Sequence, residues 1–200
     1  MKQSPLHERH LARAAKMADF GGWLMPIEYP GAGVLAEHAS VREKVGLFDV
    51  SHLGKASVIG TGALEFLNRM LTNDLTKISD GAAQYSMLCN NEGGVIDDLI
   101  VYRNSDSDFF IVPNASNTSA VVADLQANAP SGIEVKNLHN EYGVIALQGP
   151  LAAKVLSQFG LQIEIDYMAF TYVTIAGCDV IVCRTGYTGE YGFEVLPKWD

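Results

Sequence analysis

The residues best placed to do chemistry lie in Gly93-Gly-Val-Ile-Asp-Asp-Leu-Ile-Val-Tyr102. The segment reads as a β-strand leaving a glycine turn, and on a strand successive side chains point to opposite faces. Asp98 then shares a face with Ile96, Ile100 and Tyr102, while Asp97 shares the other with Val95, Leu99 and Val101. Both faces are otherwise apolar, so at least one carboxylate is expected to be partly buried. An ion in a dry site is costly, so such a carboxylate must find hydrogen-bond donors or hold its proton more tightly. Two uses meet that requirement: accepting the N–H groups of a heterocycle, or accepting backbone N–H groups beside the turn. The residues alone leave both open and do not separate Asp97 from Asp98.

A second candidate is Arg184-Thr-Gly-Tyr-Thr-Gly-Glu-Tyr-Gly-Phe-Glu194. Its glycines let the backbone turn sharply and approach a ligand closely. Tyr187, Glu190, Tyr191 and Glu194 offer rings and acceptors suited to a flat, NH-rich ring; an ordinary glycine-rich hairpin has the same look. It is no P-loop, since G-x-x-x-x-G-K-[ST] is absent. Gly31-Ala-Gly33-Val-Leu-Ala36 fits G-x-G-x-x-A, but two prolines in Met25–Pro30 stand where a dinucleotide site needs a central parallel strand. Asp49-Val-Ser51-His52 lacks a G-x-S-x-G elbow, and adjacent residues on an extended chain point apart, so no triad is expected there. His7 and His10 can share a helical face without a third ligand, which gives them a surface or N-terminal packing role. Cys89, Cys178 and Cys183 form no metal pattern and read as reduced, mostly buried thiols. No metal is expected.

The elements that must position these residues follow from periodicity. Residues 7–20 read as a helix, 23–30 as extended chain, and 34–45 as a second helix closed by Gly46. Strands are expected at 55–59, 85–89, 95–103, 109–113, 133–135 and 143–147. Between them fall a helix from Thr61 as N-cap to Leu71, another over 116–127, and a third after Pro150. From Ile163 the chain is nearly all strand and turn. The fold class is α+β, antiparallel sheets with flanking helices, without an internal repeat. The chain ends on Pro197-Lys-Trp-Asp200 with no closing helix, which reads as truncation.

Composition narrows the function. The formal charge is −9, with 48% apolar and 18% charged residues. That excess of acid argues against a nucleic-acid partner, and no basic run or amphipathic basic helix suits a membrane surface. No apolar stretch approaches the ~20 residues of a membrane helix. The polar first ten residues are neither secretory signal nor transit peptide, which points to the cytoplasm.

Taken in order, several stretches resemble the aminomethyltransferase (T protein) family of the glycine cleavage system. They are Ser4-Pro-Leu6, His10, Lys16-Met17, Phe20, Gly22-Trp23, Met25-Pro26, Val41-Arg42 and Gly46-Leu-Phe-Asp-Val-Ser-His52. Thr72-Asn-Asp74, Tyr85-Ser86, Gly93–Tyr102, Gln148-Gly-Pro150 and Arg184–Glu194 complete the set. The resemblance implies transfer of a methylene group from an aminomethyl-lipoyl H protein to tetrahydrofolate, with release of ammonia. It implies Asp98 as the essential carboxylate, and a folate site of Leu53 (usually Met in the family), Tyr85, Asp98, Ile100, Tyr102, Asn114, Tyr167, Tyr187 and Glu194. It further implies a middle domain of 51–137 inserted into a first domain of 1–50 plus 138–200. The family's C-terminal β-domain and a folate-binding arginine lie beyond residue 200, so this chain alone is expected to bind folate weakly and turn over poorly. Two other functions stand beside this one: a non-transferase folate-binding relative of the iron–sulfur assembly type, and the folate domain of a dimethylglycine- or sarcosine-oxidising enzyme.

Overall fold

A computed structural model describes residues 1–31 and 33–199. Among them the chain forms thirteen strands and five α-helices, an α+β architecture whose strand pairs are antiparallel with one short exception. It separates into two compact units, residues 1–52 with 141–167 and 171–200, and residues 53–140 with 168–170.

The first unit opens with β1 (Lys2–Gln3), α1 (His7–Ala12), β2 (Lys16–Phe20) and β3 (Trp23–Glu28). The helix expected over 7–20 is therefore cut in half. Ala14 adopts φ 54°, which ends α1, and Gly21 and Gly22, both at positive φ, turn β2 back along β3. Pro26 stands inside β3 opposite Met17, next to the register shift of the β2 ladder and past Trp23 and Leu24, the two residues that pair with β1; an irregular, edge-like place of this kind tolerates proline. Next come α2 (Gly33–Glu43) and β4 (Gly46–Asp49); Gly46 opens a strand here rather than closing a helix. Of the Gly31–Ala36 motif, Ala32 lies outside the described residues.

The second unit holds β5 (Ala56–Ile59), α3 (Ala63–Met70), β6 (Ala83–Cys89), β7 (Val95–Ser105), β8 (Asp108–Pro113), α4 (Thr118–Asn128) and β9 (Glu134–Asn137). Its sheet runs β6-β7-β8-β5-β9. One face carries Ala56, Val58, Leu88, Leu99, Val101, Phe109 and Ile111, packed on Phe66 and Leu67 of α3 and Val121, Val122 and Leu125 of α4. Thr61 does not cap α3. Gly62, in the left-handed region, precedes its first residue and no side chain caps it. Asp74 does serve as a cap, accepting the Thr76 N–H at 3.0 Å ahead of the 3-10 turn Leu75–Lys77.

The first unit resumes with β10 (Ile145–Gln148), α5 (Ala152–Ser157), β11 (Phe170–Ile175, its first residue counted with the second unit), β12 (Cys178–Cys183) and β13 (Gly192–Pro197), its strands forming the sheet β11-β12-β13-β10-β4. Leu147, Val180, Val182 and Phe193 on one face pack with Ala152 and Leu156 of α5. No helix among the described residues is long and apolar enough to cross a membrane.

His10 and Asp49, far apart in sequence, close a buried polar cluster in this unit. His10 Nε2 lies 2.8 Å from Asp49 Oδ2, and Nδ1 lies 2.7 Å from the Tyr29 hydroxyl. The carboxylate only accepts, so Nε2 carries the proton toward it, and in the neutral ring Nδ1 accepts from Tyr29. Ser4 Oγ and the Ser51 N–H also donate to Asp49. Desolvation raises the Asp49 carboxyl, but hydrogen bonds from Ser4, Ser51 and His10 outweigh it and the net shift is downward. A carboxylate depressed on folding adds stability above its unfolded value of about 3.9, and that stability is lost as pH falls through the lower folded value. Asp49→Asn is expected to flatten the acid limb of the stability curve, measured by urea unfolding between pH 7 and pH 3. Identical acid limbs for the two proteins would rule this cluster out as the source.

Candidate functional site

In the second unit the hairpin β6–β7 sets the faces of the two acids. Asp97 is 2% exposed, on the face packed by α3 and α4. It is fully partnered: the Asn114 N–H donates to Oδ2 at 2.9 Å, while Asn114 Nδ2 and Asn117 Nδ2 donate to Oδ1 at 3.1 and 2.7 Å. Asn114 follows β8 and Asn117 precedes α4, so the carboxylate ties the strand end to the helix start. The buried acid of this segment is thus a structural anchor.

Asp98 is exposed, on the open face of the same sheet. Tyr85, itself 51% exposed, donates its hydroxyl to Asp98 Oδ2 at 3.2 Å. Asn114 Nδ2 reaches Asp98 Oδ1 at 3.1 Å and its backbone carbonyl at 2.9 Å. Ile100 sits directly across from Tyr85 in the ladder and is half-buried. Partial desolvation, and then the Asp98 charge, hold the Tyr85 phenol above its ordinary value, so Tyr85 stays a protonated donor. Burial does not single out Asp98. Its distinguishing feature is a carboxylate standing among an aromatic hydroxyl, an amide and an aliphatic side chain on an open face.

The other expected residues divide. Tyr102, at the end of this face, is 2% exposed and packs edge-on against Phe110 and Phe170, so its ring is part of the interior. Leu53 is half-buried, and its carbonyl accepts the Lys55 ammonium at 2.8 Å. Tyr167, Tyr187 and Glu194 belong to the first unit. Glu194 lies in the ladder opposite Ala146 and Cys183, on the face away from α5, and accepts from the Thr185 hydroxyl. At 7% exposed, it is raised by desolvation, partly offset by that hydrogen bond. Tyr187 presents 74% of its surface. Its hydroxyl is raised nonetheless, by desolvation and then by the Glu194 charge. Tyr167, also exposed, lies with its centroid 5.9 Å from the Arg184 guanidinium.

The segment between β12 and β13 is held by its own Arg184 and by Gln148 of β10, neither of them an expected ligand-binding residue. Arg184 stacks 3.8 Å from the Tyr191 ring and donates to the Gly192 carbonyl at 3.2 Å. Gln148, 1% exposed at the end of β10, touches the segment from inside. Its one mark in the sequence is its place in the stretch Gln148-Gly-Pro150. Asn117 had no signal beyond its helix-cap residue type. Among the described residues no group of three His, Cys, Asp or Glu side chains is arranged to hold a metal ion. The cysteines are free; Cys183 is buried and Cys89 half-buried, but Cys178 is exposed, against the expectation of mostly buried thiols.

Comparison with known proteins gives the family of the chain. The model of the GCVT N-terminal domain matches residues 6–200. Among curated proteins, an aminomethyltransferase of Parafrankia sp. (strain EAN1pec) is 57% identical over 199 residues, covering 100% of this chain and 54% of that protein. One from Mycobacterium tuberculosis (strain ATCC 25618 / H37Rv) is 55% identical over 196 residues, covering 98% and 53%. The chain therefore spans about half the length of the curated relatives it matches. The crystal structure of glycine cleavage system aminomethyltransferase T from Bartonella henselae superposes with a TM-score of 0.90 at 40% identity, over 98% of this chain and 53% of that one. A chain of the heterotetrameric sarcosine oxidase of Corynebacterium sp. U-96 shares the fold alone, with a TM-score of 0.57 at 17% identity over 82% and 83% of the two chains. On the match over residues 6–200, this chain belongs to the GCVT N-terminal domain family.

Proposed function

We propose that this chain is the N-terminal part of a cytoplasmic aminomethyltransferase of the glycine cleavage system. The reaction would move the methylene of an aminomethyl-lipoyl H protein to tetrahydrofolate, releasing ammonia, the dihydrolipoyl partner and 5,10-methylenetetrahydrofolate. No metal is required. We read the domains as 1–50 plus 138–200, with 51–137 inserted, beside compact units that divide at 52/53 and 140/141 and leave 168–170 with the second. The observation that carries the reading is family membership, together with relatives more than half identical that are named for this activity.

The residues then have these roles. Asp98 orients the reduced pterin and manages the proton at N5, with Tyr85 and Asn114 fixing its two oxygens. Ile100 and Leu53 supply apolar walls. Tyr167 and Tyr187 offer rings, and Glu194 accepts ligand N–H groups. Tyr102 supports the face from within. Little covalent work falls to the protein, so positioning and charge placement supply the catalysis.

The test is a titration of the isotope-labelled chain with 5-formyltetrahydrofolate, a stable reduced folate, followed by amide NMR. Weak, saturable shifts are expected at Tyr85, Asp98 and Ile100. Shifts absent from β6 and β7 at millimolar ligand would remove the assignment.

A further inference from the structure

Gln148 spends its whole side chain on the segment that carries Tyr187. Its Nε2 donates to the carbonyls of Thr185 and Phe193, each at 3.2 Å, and its Oε1 accepts the Thr188 hydroxyl at 2.8 Å. Thr185 and Thr188 are the residues that bracket Gly186-Tyr187, so one buried carboxamide grips both ends of that dipeptide. The fit leaves no room for alternatives. A Cβ on Gly186, which stands at φ +148°, would meet Gln148 Oε1 at 2.3 Å, and one on Gly192 would meet its Cδ at 2.5 Å. The turn after Gln148 joins the same packing: the Gly149 N–H donates to the Tyr191 carbonyl at 2.7 Å. A second link runs to the acid, since the Thr185 whose carbonyl Gln148 holds also donates its hydroxyl to Glu194.

We infer that Gln148 is a positioning residue for reduced-folate binding, setting Tyr187 through Thr185 and Thr188 and steadying Glu194 through Thr185. It acts through these residues and does not meet the ligand. A carboxamide suits the task because it donates twice and accepts in one plane. Neither Glu, which loses the donors, nor Leu, which leaves Thr188 and two carbonyls unpaired, can replace it. The inference rests on the proposed folate reading for Tyr187 and Glu194, so its test separates the two.

The chain is labelled with 3-fluorotyrosine, and the Tyr187 resonance among the eight tyrosines is assigned by its loss in Tyr187→Phe. Thr188→Val, Thr188→Ser and Gln148→Leu are compared with the parent, and 5-formyltetrahydrofolate affinity is measured on each by ligand titration. Thr188→Val removes one grip and leaves the buried carboxamide in place, so it keeps the test valid should Gln148→Leu fail to fold. The expected result is a displaced or broadened Tyr187 signal in Thr188→Val, with affinity weakened about tenfold, as loss of a hydrogen bond of this kind allows. Thr188→Ser restores both. An unchanged Tyr187 signal in folded Thr188→Val overturns the inference, and so does a moved signal with unchanged affinity. A moved signal in a chain whose parent binds no reduced folate upholds the grip on Tyr187 and overturns the folate reading.

Discussion

Asp98→Asn, introduced into a full-length aminomethyltransferase bearing this domain, is expected to slow methylenetetrahydrofolate formation from aminomethyl-loaded H protein by about 10²–10⁴-fold, the range for loss of a positioned acid–base group. The fold should hardly notice. Asp98 is exposed on the open sheet face, and a carboxamide of the same shape keeps an oxygen for the Tyr85 hydroxyl; it loses the bond from Asn114 Nδ2, which retains the residue-98 carbonyl and Asp97 as acceptors. Surface exchanges of this kind stay within about 0.5 kcal/mol. Activity lost with the melting curve intact is therefore the expected pair of readings. An unaltered rate would withdraw the catalytic role from Asp98, whatever the family likeness.

Its neighbour should behave in the opposite way. Asp97→Ala leaves the Asn114 N–H and the Asn117 side-chain amide without their acceptor inside the packed face of the second unit, and takes from the Asn114 amide one of the oxygens it bonds, the others being those of Asp98. Breaking a buried, charged, multiply bonded group costs about 3 kcal/mol or more, a large part of the ~5–15 kcal/mol that holds a domain together. Urea unfolding should show the midpoint falling steeply for Asp97→Ala and holding for Asp98→Asn. Equal midpoints would mean that the anchoring role assigned to Asp97 is mistaken.

The contrast between these two acids shows what a sequence can and cannot carry. Period-2 alternation put Asp97 and Asp98 on opposite faces. It did not tell which face α3 and α4 cover, because both read as apolar. The hairpin β6–β7 and helix α4 were legible, since the turn of the one and the apolar stripe of the other are local. Lys16–Phe20 was not. Its residues suit a helix as well as a strand, and the decision is made by pairing with Trp23–Glu28 and by a reversal at Ala14 that no residue type announces. Gln148 was visible only as part of a family motif, because the hydroxyl and carbonyl groups that give it meaning lie 37 to 45 residues further along the chain. His10 was read as packing, and its bond to Asp49, 39 residues away, had no local sign.

Asn114 carries a consequence for how this protein can drift. Its single carboxamide is spread over both acids of β7. Asn and Asp are neighbours in the genetic code and nearly identical in outline, so the exchange is among the most frequent a gene will sample. Here it would set a third negative charge against two existing ones and turn the donor that reconciles them into a competitor. The mildest-looking change at this codon is thus expected to cost the anchor and the open-face acid their shared donor at one stroke.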